Sequence, residues 1–303
     1  MKGVLLREIG GPEKLEYTEI RDPEPREGQS LVCVRAAGIN FVDILVRQGR
    51  YPQAPPLPTT PGAEVAGDVD GRRVIGLPRE GGYAELVAVD EEWLVPLPDG
   101  ASFEEGAAFL LTFLTSYLPL RHGSVGPGAT VLVHAAAGGV GSAAVQLARH
   151  FGARVVATAS SAEKRRWALD LGADEAYGYD EFDRRVRADL VLDPVGGAVL
   201  TRSLRILNPL GVLVAIGSAG GAWEDLNPAL LVGRNVAVRG LFLGRLMRHR
   251  TDVVREAIGE VVELWTRGAV RPVVGARFAL AEAAEAHRLI EERRHVGKVV
   301  LIP

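Results

Sequence analysis

The sequence predicts an α/β protein with a doubly wound parallel sheet in its later part and a β-rich first third. Three observations carry that expectation. From Thr130 to Arg149 a short β-branched apolar run passes through a turn of small residues into an Ala/Leu-rich helical segment. Beyond it, apolar runs and helical segments alternate, as a parallel sheet with crossover helices requires. Before residue 110, short strand candidates crowd between glycines and prolines, the pattern of a partly open barrel or sandwich. A chain of 303 residues also exceeds the usual size of one core, so two domains are expected.

Taken in order, residues 4–6, 15–20, 30–37, 65–68, 73–76, 83–89 and 94–96 read as short strands, punctuated by Gly and Pro. Residues 38–51 form a short helical stretch that runs into a proline-rich loop, 52–61. Ser102-Phe-Glu-Glu105 has the form of a capping box and opens a helical region to about 120. Strand 130–134 follows, then a helix to about 151, strand 154–159, a helix over 162–171 and a minor strand at 175–177. Strand 190–193, a helix over about 197–208, and strands 212–217 and 236–241 complete the parallel pattern. An amphipathic helix then runs from Thr251 to about 267, a second spans 280–293, and strand 298–302 ends the chain.

Composition narrows the function classes. Net charge is −3 with no basic block, which argues against nucleic acid and membrane surfaces as partners. No apolar run is long enough to span a bilayer and the N-terminus lacks a signal-like core, so the cytoplasm is the expected compartment. Cys33 is the single cysteine, which rules out an internal disulfide and any cysteine-rich zinc site. Lysine occurs only at 2, 14, 164 and 298; the arginine bias fits either a GC-rich genome or high temperature.

Strand, glycine turn and helix together make a dinucleotide-binding hypothesis out of a bare glycine pattern. Ala136, Gly138 and Gly141 take the three places of G-x-G-x-x-G. The second place lets backbone approach a pyrophosphate, the third lets helix and strand pack closely, and the first helical turn offers free N–H groups to the anion. An NAD site usually carries an acid at the end of the next strand; here that place reads Thr158-Ala-Ser-Ser161. Hydroxyls in place of the acid favour a 2′-phosphate, and Lys164 sits one turn further on, so NADPH is the expected cofactor. The plainer alternative makes Ser160 a helix cap and Lys164 solvated surface.

In this order and spacing, several segments together resemble the zinc-free quinone oxidoreductase type of medium-chain dehydrogenase/reductase. They are Ala37-Gly-Ile-Asn-Phe-Val-Asp43, Pro61-Gly-Ala-Glu-Val-Ala-Gly67, Val133-His-Ala-Ala-Ala-Gly-Gly-Val-Gly141, Leu171-Gly-Ala-Asp174, Asp193-Pro-Val-Gly-Gly197 and the Val-Gly-Lys-Val-Val ending from 296. The resemblance covers essentially the whole chain. It implies a GroES-like catalytic domain, 1–112 and 243–303, around a Rossmann domain, 113–242. In related zinc enzymes a cysteine stands at the place of Asn40 and a histidine at that of Ala63; only Glu64 of that set remains, so no metal is expected. The six histidines show no paired spacing that could replace the ligands.

Without a metal, the hydride acceptor must delocalise incoming charge, which quinones and conjugated enones do. NADPH-dependent quinone reduction in the cleft between the domains is therefore the expected activity. Reduction of an activated C=C bond in an alkenal, enone or enoyl thioester is the alternative, and a non-catalytic regulatory or RNA-binding role a third. The resemblance places Asn40, Asp43 and Tyr51 at the catalytic site, with Tyr51 the best donor; a loop anchor for Tyr51 and a helix-surface or ion-paired carboxylate for Asp43 are the plainer readings. It places Ser160, Lys164, Tyr179 and Arg293 at the 2′-phosphate, and Gly139 and Val140 at the pyrophosphate. Thr115 falls near the nicotinamide ribose, with Gly217 and Leu241, Phe242 and Leu243 flanking the ring. It also implies a homodimer joined through the strand at 236–241. Leu45 stands where many relatives carry a tyrosine, so a more apolar pocket is expected.

Overall fold

The computed structural model describes residues 1–123, 125–221 and 225–303. The chain packs as two compact units, Met1–Leu111 with Pro272–Pro303, and Thr112–Arg271. In the first, β1 (Lys2–Leu6) and β2 (Leu15–Glu19) form an antiparallel pair. β3 (Gln29–Ile39) is followed by α1 (Phe41–Arg47), β4 (Val65–Val69), β5 (Arg72–Gly76), β6 (Leu86–Asp90), β7 (Leu94–Pro96) and α2 (Phe103–Gly106). Ser102 caps α2 through the expected box, its hydroxyl accepting from the Glu105 N–H while Glu105 accepts from the Ser102 N–H.

α3 (Leu110–His122) leads into the second unit. There follow β8 (Thr130–Val133), α4 (Gly139–His150), β9 (Arg154–Thr158), α5 (Ala162–Asp170), β10 (Glu175–Tyr177) and α6 (Phe182–Arg185). Next come β11 (Ala188–Asp193), α7 (Ala198–Ile206), β12 (Leu207–Ala215), α8 (Pro228–Arg234), β13 (Ala237–Gly240), α9 (Leu243–His249) and α10 (Thr251–Thr266). The chain then returns to the first unit with β14 (Val274–Ala279), α11 (Ala283–Glu291) and β15 (Lys298–Ile302).

The second unit's six strands are all parallel, in the order β10-β9-β8-β11-β12-β13. This is the doubly wound order in which a dinucleotide lies at the switch point, here between β8 and β11. Leu132, Val156, Val191 and Leu213 on four neighbouring strands are buried with Phe182, Leu200 and Leu204, which explains why these strands read as continuous apolar runs. The first unit carries a seven-stranded sheet in the order β14-β15-β3-β4-β5-β7, with β6 also paired to β3. The long β3 thus holds together strands that are far apart in sequence.

The structure differs from the expected elements in four places. Residues 243–271 pack with the second unit, whereas the resemblance implies that they join the first: α10 buries Val254, Ala257, Ile258, Val261 and Trp265, and Tyr117 of α3 donates to Glu260. Strand 83–89 begins only at Leu86, because Tyr83 bonds to Pro61 and Val4 and not to the β3 ladder. β14 is absent from the expected strands: Val274, Ala276 and Phe278 turn inward in alternation with exposed neighbours, but the strand is fixed by its parallel partner β15, some twenty residues on. α8 and α9, only seven residues each, were also missed. No helix among the described residues is long and apolar enough to cross a membrane.

Candidate active site

The turn after β8 is built by close packing. A Cβ on Gly141 would lie 2.3 Å from the Ala135 carbonyl oxygen and 2.6 Å from the Ala136 Cα, so only glycine lets α4 start against the strand end. Gly138, in extended conformation, precedes α4 without a side-chain cap, leaving the first-turn N–H groups of a twelve-residue helix to face an anion. Ala136, at the first glycine place, is fully buried and its N–H donates to the Thr158 carbonyl at 3.1 Å. The left-handed residue is Ala135, at φ 50°. Its N–H donates to the Tyr179 hydroxyl at 3.0 Å, so Tyr179 is fastened to the glycine turn.

β9 ends at Thr158, and no acid follows before α5. Ser161, not Ser160, caps α5 by accepting the Lys164 N–H at 3.2 Å. The Ser160 cap is thereby corrected: Ser161 is the residue whose hydroxyl reaches the third amide of the helix. Ser160 is exposed, and the Lys164 and Tyr179 side chains are half-buried. Thr115 is buried in α3, where the neighbouring Ser116 hydroxyl contacts the Val140 carbonyl at 2.9 Å. Gly217 lies just beyond β12 and Leu241 just beyond β13, at neighbouring strand ends where the Leu241 N–H donates to the Ala215 carbonyl. Phe242 precedes α9, which opens with the buried Leu243. Arg293 is exposed after α11, in the first unit.

In the first unit Asn40 and Asp43 are buried and committed to internal partners. Asn40 Nδ2 donates to the Gly38 carbonyl (3.2 Å) and Glu64 Oε2 (3.1 Å), while its Oδ1 accepts from Lys298 Nζ. Lys298 Nζ also bonds Glu64 Oε2 at 2.5 Å, and Glu64 Oε1 accepts the Leu111 N–H at 2.9 Å. A Cβ on Gly38 would lie 1.9 Å from the Ala107 carbonyl, so this approach too requires glycine. Asp43 Oδ2 accepts the Asn40 N–H (2.8 Å) and the Tyr83 hydroxyl (3.0 Å). The Asn40 and Asp43 side chains, expected at the catalytic site, are thus held by partners within the first unit. Both Asn40 donors are already engaged, and Asp43 is 3% exposed. Tyr51 is half-buried at the start of the proline-rich loop, where its carbonyl accepts the Ala54 N–H.

A second set of polar residues escaped the sequence reading. The Arg47 guanidinium, without exposure, donates through Nε to His287 Nδ1 at 3.4 Å and pairs with Glu291 at 2.6 Å. Arginine only donates, so His287 carries its proton on Nε2 and offers it to the Tyr83 oxygen at 3.2 Å; Tyr83 in turn donates to Asp43. Burial, then Arg47, pushes His287 down to about 3, and burial pushes Asp43 up to about 6 against the bonds from Asn40 and Tyr83. The available signals were slight: a rare lysine at 298, and a histidine on the apolar face of α11. Among the described residues, no group of three or more His, Cys, Asp or Glu is placed to hold a metal ion.

Comparison with known proteins agrees with this architecture. Residues 26–99 match the alcohol dehydrogenase GroES-like domain, and residues 171–301 match a zinc-binding dehydrogenase family. A quinone oxidoreductase of Pseudomonas aeruginosa is 38% identical, over 100% of this chain and 99% of its own. The chain belongs to the medium-chain dehydrogenase/reductase family. The Thermus thermophilus quinone oxidoreductase, solved also with NADPH, superposes with a TM-score of 0.93 at 44% identity over 100% of both chains. The Escherichia coli quinone oxidoreductase complexed with NADPH gives 0.93 at 32% identity, again over 100% of both.

Proposed function

We propose that this member of the family reduces quinones with NADPH and without zinc. The carrying observation is the second unit's glycine turn, with its uncapped helix start and with hydroxyls where an acid would repel a 2′-phosphate. Gly138, Gly139, Val140 and Gly141 would hold the pyrophosphate through backbone. Ser160, Lys164, Tyr179 and Arg293 would hold the 2′-phosphate, while Thr115, Gly217, Leu241, Phe242 and Leu243 would flank the nicotinamide and its ribose. NADPH supplies the hydride when bound. The chain's own task is to orient the ring, exclude water and donate a hydrogen bond to the acceptor oxygen as charge develops there. Tyr51 is the residue we assign to that donation. Asn40 and Asp43 are the residues we assign to positioning, through the start of α1.

Zinc independence is supported by what surrounds Glu64. Its carboxylate already meets the Lys298 ammonium, which also bonds Asn40. A fixed internal cation therefore stands at the set of residues from which a metal ligand sphere would have to be made, and an amide and Ala63 replace two ligands. A homodimer is the proposed assembly, through the edge of β13. That strand ends the sheet and is largely exposed, and Leu210 and Val232 are 85% and 77% exposed.

Turnover of NADPH and NADH against benzoquinone, a naphthoquinone, an alkenal and a crotonyl thioester tests the activity. Quinone-selective turnover with NADPH is expected; turnover confined to the C=C substrates would replace the quinone reading. Lys164→Ala is expected to raise the KM for NADPH about tenfold or more while leaving that for NADH, since a lost charged hydrogen bond is worth ~1.5–3 kcal/mol. Elemental analysis of the purified protein should find no stoichiometric zinc.

A further inference from the structure

His134, the last residue before the glycine turn, is fully buried and has no part in the chemistry described so far. Its ring is held on every side. The Ser203 hydroxyl donates its only proton to the Val199 carbonyl at 2.7 Å, so toward His134 Nε2, also at 2.7 Å, it can only accept. The proton therefore sits on Nε2, and Nδ1 accepts from the Thr158 hydroxyl at 2.7 Å. One ring face lies against Tyr179, with centroids 5.9 Å apart and planes 27° from parallel, and Phe182 meets the ring edge-on at 5.0 Å.

One of these partners, Tyr179, is assigned to the 2′-phosphate by the NADPH reading, and another, Thr158, ends the strand two residues before Ser160. Thr158 ends β9, and its carbonyl holds the Ala136 N–H. Tyr179 accepts the N–H of the left-handed Ala135, while its own carbonyl accepts from Arg202 at 2.5 Å. One imidazole thus links the glycine turn, the end of β9 and the loop carrying Tyr179. No other aromatic side chain carries a ring donor and a ring acceptor on opposite edges together with a flat face to stack.

We propose that His134 is a positioning residue that sets the preference for a 2′-phosphorylated dinucleotide by fixing Thr158 and the Tyr179 ring. The proposal rests on the NADPH reading above. His134 makes none of the first-turn contacts of α4, so its loss falls on the adenosine end that distinguishes the two cofactors.

The test is calorimetric titration with adenosine 2′,5′-bisphosphate and with AMP, on the full chain and on three variants. The wild type is expected to bind the bisphosphate at least tenfold more tightly; equal binding overturns the NADPH reading itself. Given that preference, His134→Phe keeps the stack but loses both hydrogen bonds, and Thr158→Val exchanges hydroxyl for methyl at constant shape. Each is expected to cut the ratio of the two affinities about five- to tenfold, as the loss of one or two hydrogen bonds at a positioning group would. Thr158→Ser, which keeps the donor, should restore it. In steady state His134→Phe and Thr158→Val should raise the KM for NADPH with kcat held, and Thr158→Ser should return it toward the wild-type value. An unchanged ratio in Thr158→Val, or equal weakening of both probes, overturns the proposal, and Thr158→Val decides the matter if His134→Phe does not fold.

Discussion

Each unit buries one histidine in the same Nε2–H form, but the two networks are made of different material. His287 sits in a chain of charged groups: Glu291 pairs with Arg47, which donates to His287, which donates to Tyr83, which donates to Asp43. Beside it Lys298 and Glu64 form an ion pair with 4% and 1% side-chain exposure. His134 instead lies between two hydroxyls and two aromatic rings, and its chain ends on a backbone carbonyl. Neutral partners leave the second unit's turn to be shaped by stacking and backbone. In the first unit, opposite charges are placed so that no single one can be removed without stranding another.

Lys298→Met breaks this comparison most strongly. It leaves the Glu64 carboxylate buried without its cation, and denaturant unfolding should show a loss of about 3–5 kcal/mol. A loss below about 1 kcal/mol would mean that solvent reaches the pair, and the contrast between the units would collapse.

Acid provides the next largest effect. Both histidines are held near 3, well below the ordinary 6.5, by burial first and then by Arg202 at His134 and Arg47 at His287. Their contribution is complete above pH 6.5 and is lost as pH falls toward 3, with a slope of up to about 1.4 kcal/mol per pH unit for each. Asp43, raised to about 6, has the opposite sign: its contribution is present below the ordinary 3.8 and lost as pH rises through 6. It therefore offsets part of the His287 slope within the first unit. Unfolding followed from pH 7 to 4 should be flatter in His134→Gln; an identical slope would show that His134 protonates without unfolding.

Tyr83→Phe removes the link between His287 and Asp43, leaving a donor and an acceptor buried without each other. It should cost about 1–3 kcal/mol at pH 7. Because the lost bond holds the ionised carboxylate, the Asp43 titration followed by carboxyl NMR should move upward; no movement would place Tyr83 outside the network.

The smallest effect separates cap from binding group at the start of α5. Ser161→Ala should cost about 1 kcal/mol of stability with little change in the NADPH KM. Ser160→Ala should do the reverse, and the opposite pattern would return the cap to Ser160.

The strands of the second unit and its longer helices were legible because each is a local event, whereas the seven-residue α8 and α9 carry too few turns to show a period. A buried parallel strand is a β-branched run, a turn packed against a helix demands Gly141, and the missing acid after Thr158 is an absence visible in the sequence. Boundaries slipped where the local signal was divided, as at Tyr83, whose backbone pairs with distant Val4 and Pro61, or at β14, whose partner lies some twenty residues on.

The sequence by itself determined the α/β class and the glycine turn, because periodicity and backbone sterics act over a few residues; the cofactor candidates outside that turn, among them Thr115, Tyr179 and Arg293, came from the family resemblance. Only the tertiary structure decided that Asn40 and Asp43 are buried among internal partners, that Ser161 is the cap, and that His134, His287 and Lys298 are held where they are. Hydrogen bonds across 24, 204 and 258 residues have no periodicity to announce them. They form because desolvated donors and acceptors must find one another once apolar burial has closed the core around them.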